Sequence, residues 1–355
     1  MARRRSRPTG PTEPCERYVR LAPLDVEQEM ALALSARAFF SPSNYQKSCQ
    51  TIGKVPSSRS ILPLSGLDFM EFLKATELIE NPDRYIYQVR HLLERMTANN
   101  ILVEVSGADS SYVMMPKSYY ALSEISTIRS AGTLWLGKTL GGRFLHRQIS
   151  PAIVQIAGKN AEGEARAGSG LVFDPHHILT CRHVVSEMQV DQTQSFQGRE
   201  IAIDAKAIAE HEALDVAVLH VPEPLHAVAG LAFLEPFVTQ TVYTFGYPRI
   251  PCALPTEDGN SPLVVQRGEV TASAVSMIGT ADLFLYSAIA RPGNSGGALV
   301  SDEGYVVGMA TDLTEGQYCD VSPFSPHYAG IPAQVISRAV DEMDLGVQVP
   351  YETFD

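Results

Sequence analysis

Nowhere in this sequence does an apolar run approach the roughly 18 to 20 residues that a bilayer-crossing helix needs, which points to a soluble protein with no membrane partner. Cysteine is scarce and unpaired: Cys15, Cys49, Cys181, Cys252 and Cys319 are scattered, odd in number and without a C-x-x-C spacing. Such a set argues against a zinc ribbon or a disulfide framework and reads as reduced thiols in a reducing compartment. Basic residues are outnumbered, 28 Lys and Arg against 40 Asp and Glu, for a formal net charge of −12. A field of that sign repels phosphate backbones and anionic lipid, so nucleic acid is disfavoured as a partner. An apolar export signal is also missing: Pro8, Pro11, Glu13 and Pro14 stand where it should follow the arginine-rich start, and a cytoplasmic location is expected. Finally, His176, His177, His211, His220, His226 and His327 lack metal-ligand spacings such as H-E-x-x-H. They read as ordinary loop or surface residues, and neither a metal nor any other cofactor is implied.

The residues that are present suggest two domains, since 355 residues with 45% hydrophobic content can bury a substantial core. Residues 1–22, rich in Arg, Pro, Thr and Glu, cannot repay the entropy of ordering and read as a disordered basic tail. Three helices come next. The first runs from Asp25 to about Phe39, with a capping box of Asp25 and Gln28 and a buried stripe of Val26, Met30, Ala33 and Leu34. The second starts at Ser65, where Ser65 and Asp68 bracket the first turn and Phe69, Phe72 and Leu73 form the stripe. The third opens with Asn81 as N-cap and Pro82 at the first position, buries Ile86, Val89, Leu93 and Met96, and stops at Asn99-Asn100. Two strands then read as a hairpin, Ile101–Val105 and Tyr112–Met115 around a loop at 106–111.

Helix, helix, hairpin over residues 65–115 resembles a winged helix in element order. That window holds eight acidic and four basic residues, a net of −4, whereas a DNA reader needs the opposite sign. Residues 23–148 are therefore expected to be a mainly helical, winged-helix-like interaction or regulatory domain with a protein partner. Within it, residues 120–148 carry four glycines and the only tryptophan, Trp135, and read as a connection between the two domains.

From Ser150 the texture changes to short apolar runs split by Gly, Pro, Asn and Asp, among them Ala152–Ile156, Gly170–Phe173, Val216–Leu219, Val242–Phe245, Leu283–Tyr286 and Ala298–Val300. Many short strands at this spacing predict an all-β barrel or sandwich. A helix from Pro332 to about Met343 closes the domain, placed at 149–345, and residues 346–355 read as an acidic tail.

Three motifs in this region bring together the parts of an activated serine nucleophile. Gly168-Ser-Gly-Leu-Val-Phe-Asp174 precedes Ile178-Leu-Thr-Cys-Arg-His-Val-Val185; Asp215 enters an apolar strand in Ala213-Leu-Asp-Val-Ala-Val-Leu219; and Ala290-Arg-Pro-Gly-Asn-Ser-Gly-Gly297 presents Ser295 on a glycine-rich turn. Asp215 lies 32 residues beyond His183, and Ser295 a further 80. At these residues the chain resembles the trypsin-like (chymotrypsin-fold) serine peptidases over residues 150–344, with the look of the bacterial Deg or HtrA type without its PDZ domain. The His, Asp, Ser order separates it from subtilisin-like and α/β-hydrolase orders.

The resemblance implies a double β-barrel, a catalytic triad of His183, Asp215 and Ser295, and an oxyanion hole from the amides of Gly293 and Ser295. It also implies two substrate-binding positions. Ile289 sits where the family sets the floor of its primary pocket, which predicts small or medium apolar residues at the cleavage site; Gly308–Asp312, with Thr311, resembles the strand that pairs with extended substrate. Asn294 stands where secreted trypsins carry the aspartate that binds a newly cut N-terminus, so activation by that route is not expected. The function implied is an intracellular serine endopeptidase acting on protein or peptide, regulated through its N-terminal domain, in the setting of a bacterial defence or stress effector. The alternatives are a winged-helix transcription regulator with a protease-like sensor or self-cleaving domain, and a non-catalytic pseudoprotease scaffold.

Overall fold

The computed structural model of the chain describes residues 23–105, 117–250, 260–276, 282–311 and 328–353, in two compact units that divide between Leu122 and Ser123. The tail expected over residues 1–22 lies outside the described residues. Among those described, no helix is long and apolar enough to cross a membrane.

In the first unit Asp25 starts helix α1 (Val26–Phe39) as its sequence predicts. Its carboxylate accepts the Gln28 N–H at 2.7 Å while the Gln28 side chain accepts the Asp25 N–H at 3.0 Å, so two end donors are satisfied reciprocally. The buried face differs from the expected stripe: Leu32, Ala33, Ala36 and Phe39 point inward, and Leu34 is 36% exposed. The reason is the aromatic end of the helix. Phe39 meets Phe40, Phe69 and Phe72 at ring-centroid distances of 5.0, 5.5 and 4.9 Å, and Phe40 meets Tyr119 at 5.2 Å, which fixes the rotation of α1.

Helix α2 (Tyr45–Thr51), strand β1 (Leu64–Ser65) and helix α3 (Gly66–Thr76) come next. The Ser65–Asp68 capping box is present, at 3.2 and 3.0 Å. Asn81 does not cap its helix: it adopts a left-handed φ of 50°, a single 3₁₀ turn spans Pro82–Tyr85, and helix α4 begins only at Ile86, running to Ala98. Strand β2 (Val103–Val105) pairs with β3 (Ser118–Tyr120), so the hairpin partner lies later than Tyr112–Met115, which falls outside the described residues. The sheet order is β1-β3-β2, all antiparallel.

The second unit starts earlier than residue 149. Helix α5 (Thr127–Ser130), a 3₁₀ turn at Leu134–Leu136 and helices α6 (Gly137–Leu140) and α7 (Gly142–Ile149) follow, and the turn buries Leu134 and Leu136 while α7 buries Phe144, Leu145 and Ile149, so the segment cannot serve as a solvated connection. Gly137 packs so closely that an added Cβ would lie 2.8 Å from the Asp302 carbonyl oxygen. Arg129 stacks 3.9 Å from the Tyr305 ring centroid, and Lys138 pairs with Glu303 at 2.9 Å.

Strands β4 (Ile153–Lys159), β5 (Ala165–Asp174) and β6 (His177–Thr180) lead into helix α8 (Arg182–Ser186). Then come β7 (Gln189–Val190), β8 (Thr193–Phe196), β9 (Arg199–Ala202), β10 (Ile208–Glu210) and β11 (Ala217–His220). Six of these form an antiparallel sheet in the order β10-β11-β6-β5-β4-β7, with β8 and β9 paired separately. The other half holds β12 (Thr241–Gly246), β13 (Val264–Val275), β14 (Leu283–Tyr286), β15 (Ala298–Ser301), β16 (Val306–Thr311) and β17 (Tyr328–Pro332), followed by helix α9 (Ala333–Glu342). These strands close into a barrel ordered β12-β13-β14-β17-β16-β15 around Phe284, Tyr286, Leu299 and Val307. The expected double barrel is thus one closed barrel and one open sheet, whose edge strands β7 and β10 are only two and three residues long. Nor are residues 346–353 a free tail. Val349 is buried, the Phe233 N–H donates to the Pro350 carbonyl at 2.9 Å, and the Ser126 hydroxyl donates to buried Glu352 at 2.7 Å.

Truncating Phe39 removes the common member of the aromatic cluster. Phe39→Ala is expected to destabilise the first unit by about 3–5 kcal/mol, read from urea unfolding of the full chain followed by circular dichroism. Tyr87→Ala, at a 66% exposed position, is expected to stay within about 0.5 kcal/mol of the wild type.

Candidate active site

The carboxylate of Asp215 gathers donors from both halves of the second unit. Strand β6 is buried from Ile178 to Thr180 and delivers His183 in the first turn of α8. The His183 backbone N–H donates to Asp215 Oδ1 at 2.9 Å, and its ring Nδ1 lies 3.0 Å from Oδ1 and 2.9 Å from Oδ2. From the end of β16, in the barrel, the Thr311 hydroxyl donates to Oδ2 at 2.7 Å. Burial alone would raise the Asp215 carboxyl. The His183 ring bond and charge, its backbone N–H and the Thr311 hydroxyl outweigh that effect and hold the group below the usual aspartate range.

These contacts redefine Thr311. Its hydroxyl is committed to Asp215, and β16 is hydrogen-bonded on both sides up to Ala310, with β17 on one side and with β15 and the Gly296-Gly297 turn on the other. Gly308 to Ala310, within the Gly308–Asp312 segment expected to pair with substrate, are therefore already paired on both sides, and Asp312 lies outside the described residues. Ile289 is 47% exposed on the segment between β14 and the serine turn.

The turn that carries Ser295 is shaped by proline and glycine. Asn294 N–H donates to the Arg291 carbonyl at 2.9 Å, with Pro292 and Gly293 between them and Gly293 at φ +100°. Proline followed by a left-handed glycine is the composition of a type II turn. The Pro292 carbonyl accepts the Arg249 N–H at 3.1 Å, so the Gly293 N–H, on the same peptide plane, faces the opposite way. Space is limiting as well: a Cβ on Gly296 would lie 2.1 Å from the Ser169 carbonyl oxygen and 2.3 Å from Thr180 Oγ1.

Ser169, the middle residue of Gly168-Ser-Gly170, organises this turn. Its N–H donates to the Ser295 carbonyl at 2.8 Å, its hydroxyl donates to the Gly293 carbonyl at 2.7 Å and accepts the Tyr247 N–H at 2.8 Å, and its carbonyl accepts the Thr180 hydroxyl at 2.7 Å. Fully buried on β5, it ties the serine turn to the strand that delivers His183. Its only trace in the sequence is a small polar residue between glycines at the head of an apolar strand.

Cys181 completes the surroundings. Its Sγ donates to the Ala310 carbonyl at 3.3 Å, and burial, with the Asp215 charge adding, pushes the thiol well above its ordinary range. Cys181, His183 and Asp215 are the one set among the described residues whose metal-ligating atoms all lie within 4.8 Å of one another. A thiol held protonated and a carboxylate already saturated by three donors suit a hydrogen-bonded network better than a cation.

Two measurements test these contacts. Ser169→Ala removes the hydroxyl that bonds both the Gly293 carbonyl and the Tyr247 N–H in a part-buried site and is expected to destabilise the fold by about 1–3 kcal/mol, measured by urea unfolding against Ser60→Ala, a change at an exposed serine. Because its folded value is depressed, Asp215 contributes stability that is fully present above the ordinary value of 3.8 and is lost as pH falls through the depressed one. Unfolding free energies measured down the acid range are expected to flatten in Asp215→Asn.

A family profile described as a trypsin-like peptidase domain matches residues 168–309. A curated relative, Protease Do-like 1, chloroplastic, of Arabidopsis thaliana, is 27% identical over 259 residues, covering 67% of this chain and 52% of the relative. The chain thus spans about half the length of that relative. Among solved structures, the active form of the Rv3671c protease from M. tuberculosis superposes with a TM-score of 0.45 at 20% identity, over 56% of this chain and 84% of that one. The serine endoprotease from Yersinia pestis gives 0.43 at 20%, over 56% and 65%. Residues 168–309 thus match a trypsin-like peptidase domain.

Proposed function

We propose that this chain is a serine endopeptidase in which His183, Asp215 and Ser295 act as a catalytic triad on protein or peptide substrates. The observation that carries the reading is the paired contact of His183 Nδ1 with both Asp215 oxygens at 2.9 and 3.0 Å. With its Nδ1 proton given to Asp215, the imidazole presents Nε2 as the atom that accepts a proton. As Ser295 Oγ attacks the scissile carbonyl carbon, its proton passes to His183 Nε2, and the carbonyl oxygen becomes an oxyanion held by the N–H groups of Gly293 and Ser295. The C–N bond then breaks, His183 returns the proton to the leaving amine, and the acyl group stays on Ser295. Water, deprotonated by the same imidazole, hydrolyses the ester. Ile289, half exposed ahead of the turn, favours a small or medium apolar residue at the cleaved position because it offers no partner to a charged side chain.

In this reading the first unit is a winged-helix-like module that binds a protein partner and regulates the peptidase, in an intracellular defence or stress role. Support comes from the order of α1, β1, α3, α4, β2 and β3 with the sheet order β1-β3-β2, together with an acidic balance that disfavours DNA.

Labelling with a fluorophosphonate is expected in the wild type and absent in Ser295→Ala. Ser295→Ala and His183→Ala are each expected to lower turnover by about a millionfold, and Asp215→Asn by about ten-thousandfold. Incubating the full chain with cell lysate and sequencing the new N-termini reports the preferred residue. Cleavage after lysine or arginine would overturn the assignment of Ile289, and a wild type that neither labels nor cleaves would overturn the peptidase.

A further inference from the structure

The loop that presents Asp215 is built around a histidine ring. His211 is 8% exposed, and its N–H donates to the Val216 carbonyl at 3.0 Å, closing a loop over residues 211–216. Inside the loop, His211 Nδ1 accepts the backbone N–H of Ala213 at 3.1 Å and of Leu214 at 2.9 Å. Backbone amides can only donate, so Nδ1 carries no proton and the ring proton sits on Nε2. That proton is given to Glu342 on α9, at 2.8 Å. A second clamp comes from α8, where the Arg182 guanidinium donates to the carbonyls of His211 at 3.2 Å and Glu212 at 2.8 Å. Arg182 is the neighbour of His183, and Leu214 is the neighbour of Asp215.

We propose that His211 is a positioning residue for the peptidase: its ring fixes the 211–216 loop, and so sets where the Asp215 carboxylate meets His183. The proposal rests on the triad reading above. Asp215 comes directly after Leu214, so any shift of an amide released from Nδ1 is passed to the carboxylate. The ring works in one state only. A proton on Nδ1 would set a third donor against two N–H groups that have no other acceptor in the loop. The charged group on the ring is Glu342, itself 3.8 Å from Arg338 on α9, while Arg182 on α8 holds the loop carbonyls beside it. No motif betrays this arrangement, because a histidine four residues before Asp215 has no signature of its own and Glu342 lies 131 residues away.

Substitutions in the full chain test it. His211→Leu keeps bulk but has no acceptor, whereas His211→Asn keeps an oxygen able to accept an N–H two residues on. Glu342→Ala, at a side chain 53% exposed, loosens the ring without disturbing the core. The rate of Ser295 labelling by a fluorophosphonate is expected to fall about tenfold to a hundredfold in His211→Leu, as for a displaced catalytic group. It is expected to be largely restored in His211→Asn and to fall by a smaller factor in Glu342→Ala.

A readout independent of catalysis accompanies these rates. In Ser295→Ala, the proton between His183 and Asp215 is followed as a low-field NMR resonance, which is expected to persist with His211→Asn and to be lost with His211→Leu. Equal labelling rates in wild type and His211→Leu, or a resonance unchanged in His211→Leu, would overturn the positioning role. So would equal losses in the Leu and Asn variants that track their melting temperatures, since those would mark a purely structural residue. A folded wild type that shows the resonance but never labels would instead overturn the peptidase reading that underlies it.

Discussion

A carboxylate partly withdrawn from water needs donors in place of the hydration it loses, and in this chain Asp215, whose side chain is 32% exposed, draws them from both halves of the second unit. Asp215 receives the ring and backbone of His183 from the open sheet and the hydroxyl of Thr311 from the closed barrel. Neither half alone can satisfy it. The contact that orients the imidazole therefore also binds the two halves together.

Around that contact the backbone is packed to the limit. Gly293, Gly296 and Gly297 each bring the serine turn to where any Cβ would collide with the main chain of Tyr247, Ser169 or Phe245. This is why a glycine-rich stretch, flexible when unfolded, becomes rigid here: close approach exchanges conformational freedom for hydrogen bonds to Ser169, Ala310 and Arg249. Pro292 limits the same freedom from the other side by fixing its own φ. The asparagine between them is buried at 3% exposure. A neutral amide suits that place, where a carboxylate would need a counter-charge that the surrounding main chain does not provide.

Local chemistry was legible in the sequence wherever the physics is local. The Asp25–Gln28 and Ser65–Asp68 caps depend on residues three apart, and both form; the closing helix after Pro332 and the short strands of the barrel arise from hydrophobic period and breakers. The residues expected to form the active site could be named because three short motifs each carry one group. Their supporting partners could not. Ser169 meets Gly293 across 124 positions, Thr311 meets Asp215 across 96, and Glu342 meets His211 across 131. A lone serine, threonine or glutamate has no periodicity to betray such a partner. The same limit applies to residues 120–148: α5 to α7 are short and interrupted by glycine, so they read as a linker in the sequence, although Leu134 and Phe144 are buried. Asn81 shows the opposite error, since asparagine before proline is as compatible with a left-handed bend as with a cap.

Ser126 at the head of the second unit holds Glu352 near its close. A polypeptide that returns to its own starting point forms a loop in all but covalent connection. Its two ends could be spliced by a brief bridge and new ones opened at a distant surface bend, leaving the strands in their present pairing. In such a permuted chain the order in which His183, Asp215 and Thr311 emerge from the ribosome would change, while the hydrogen bonds among them would not.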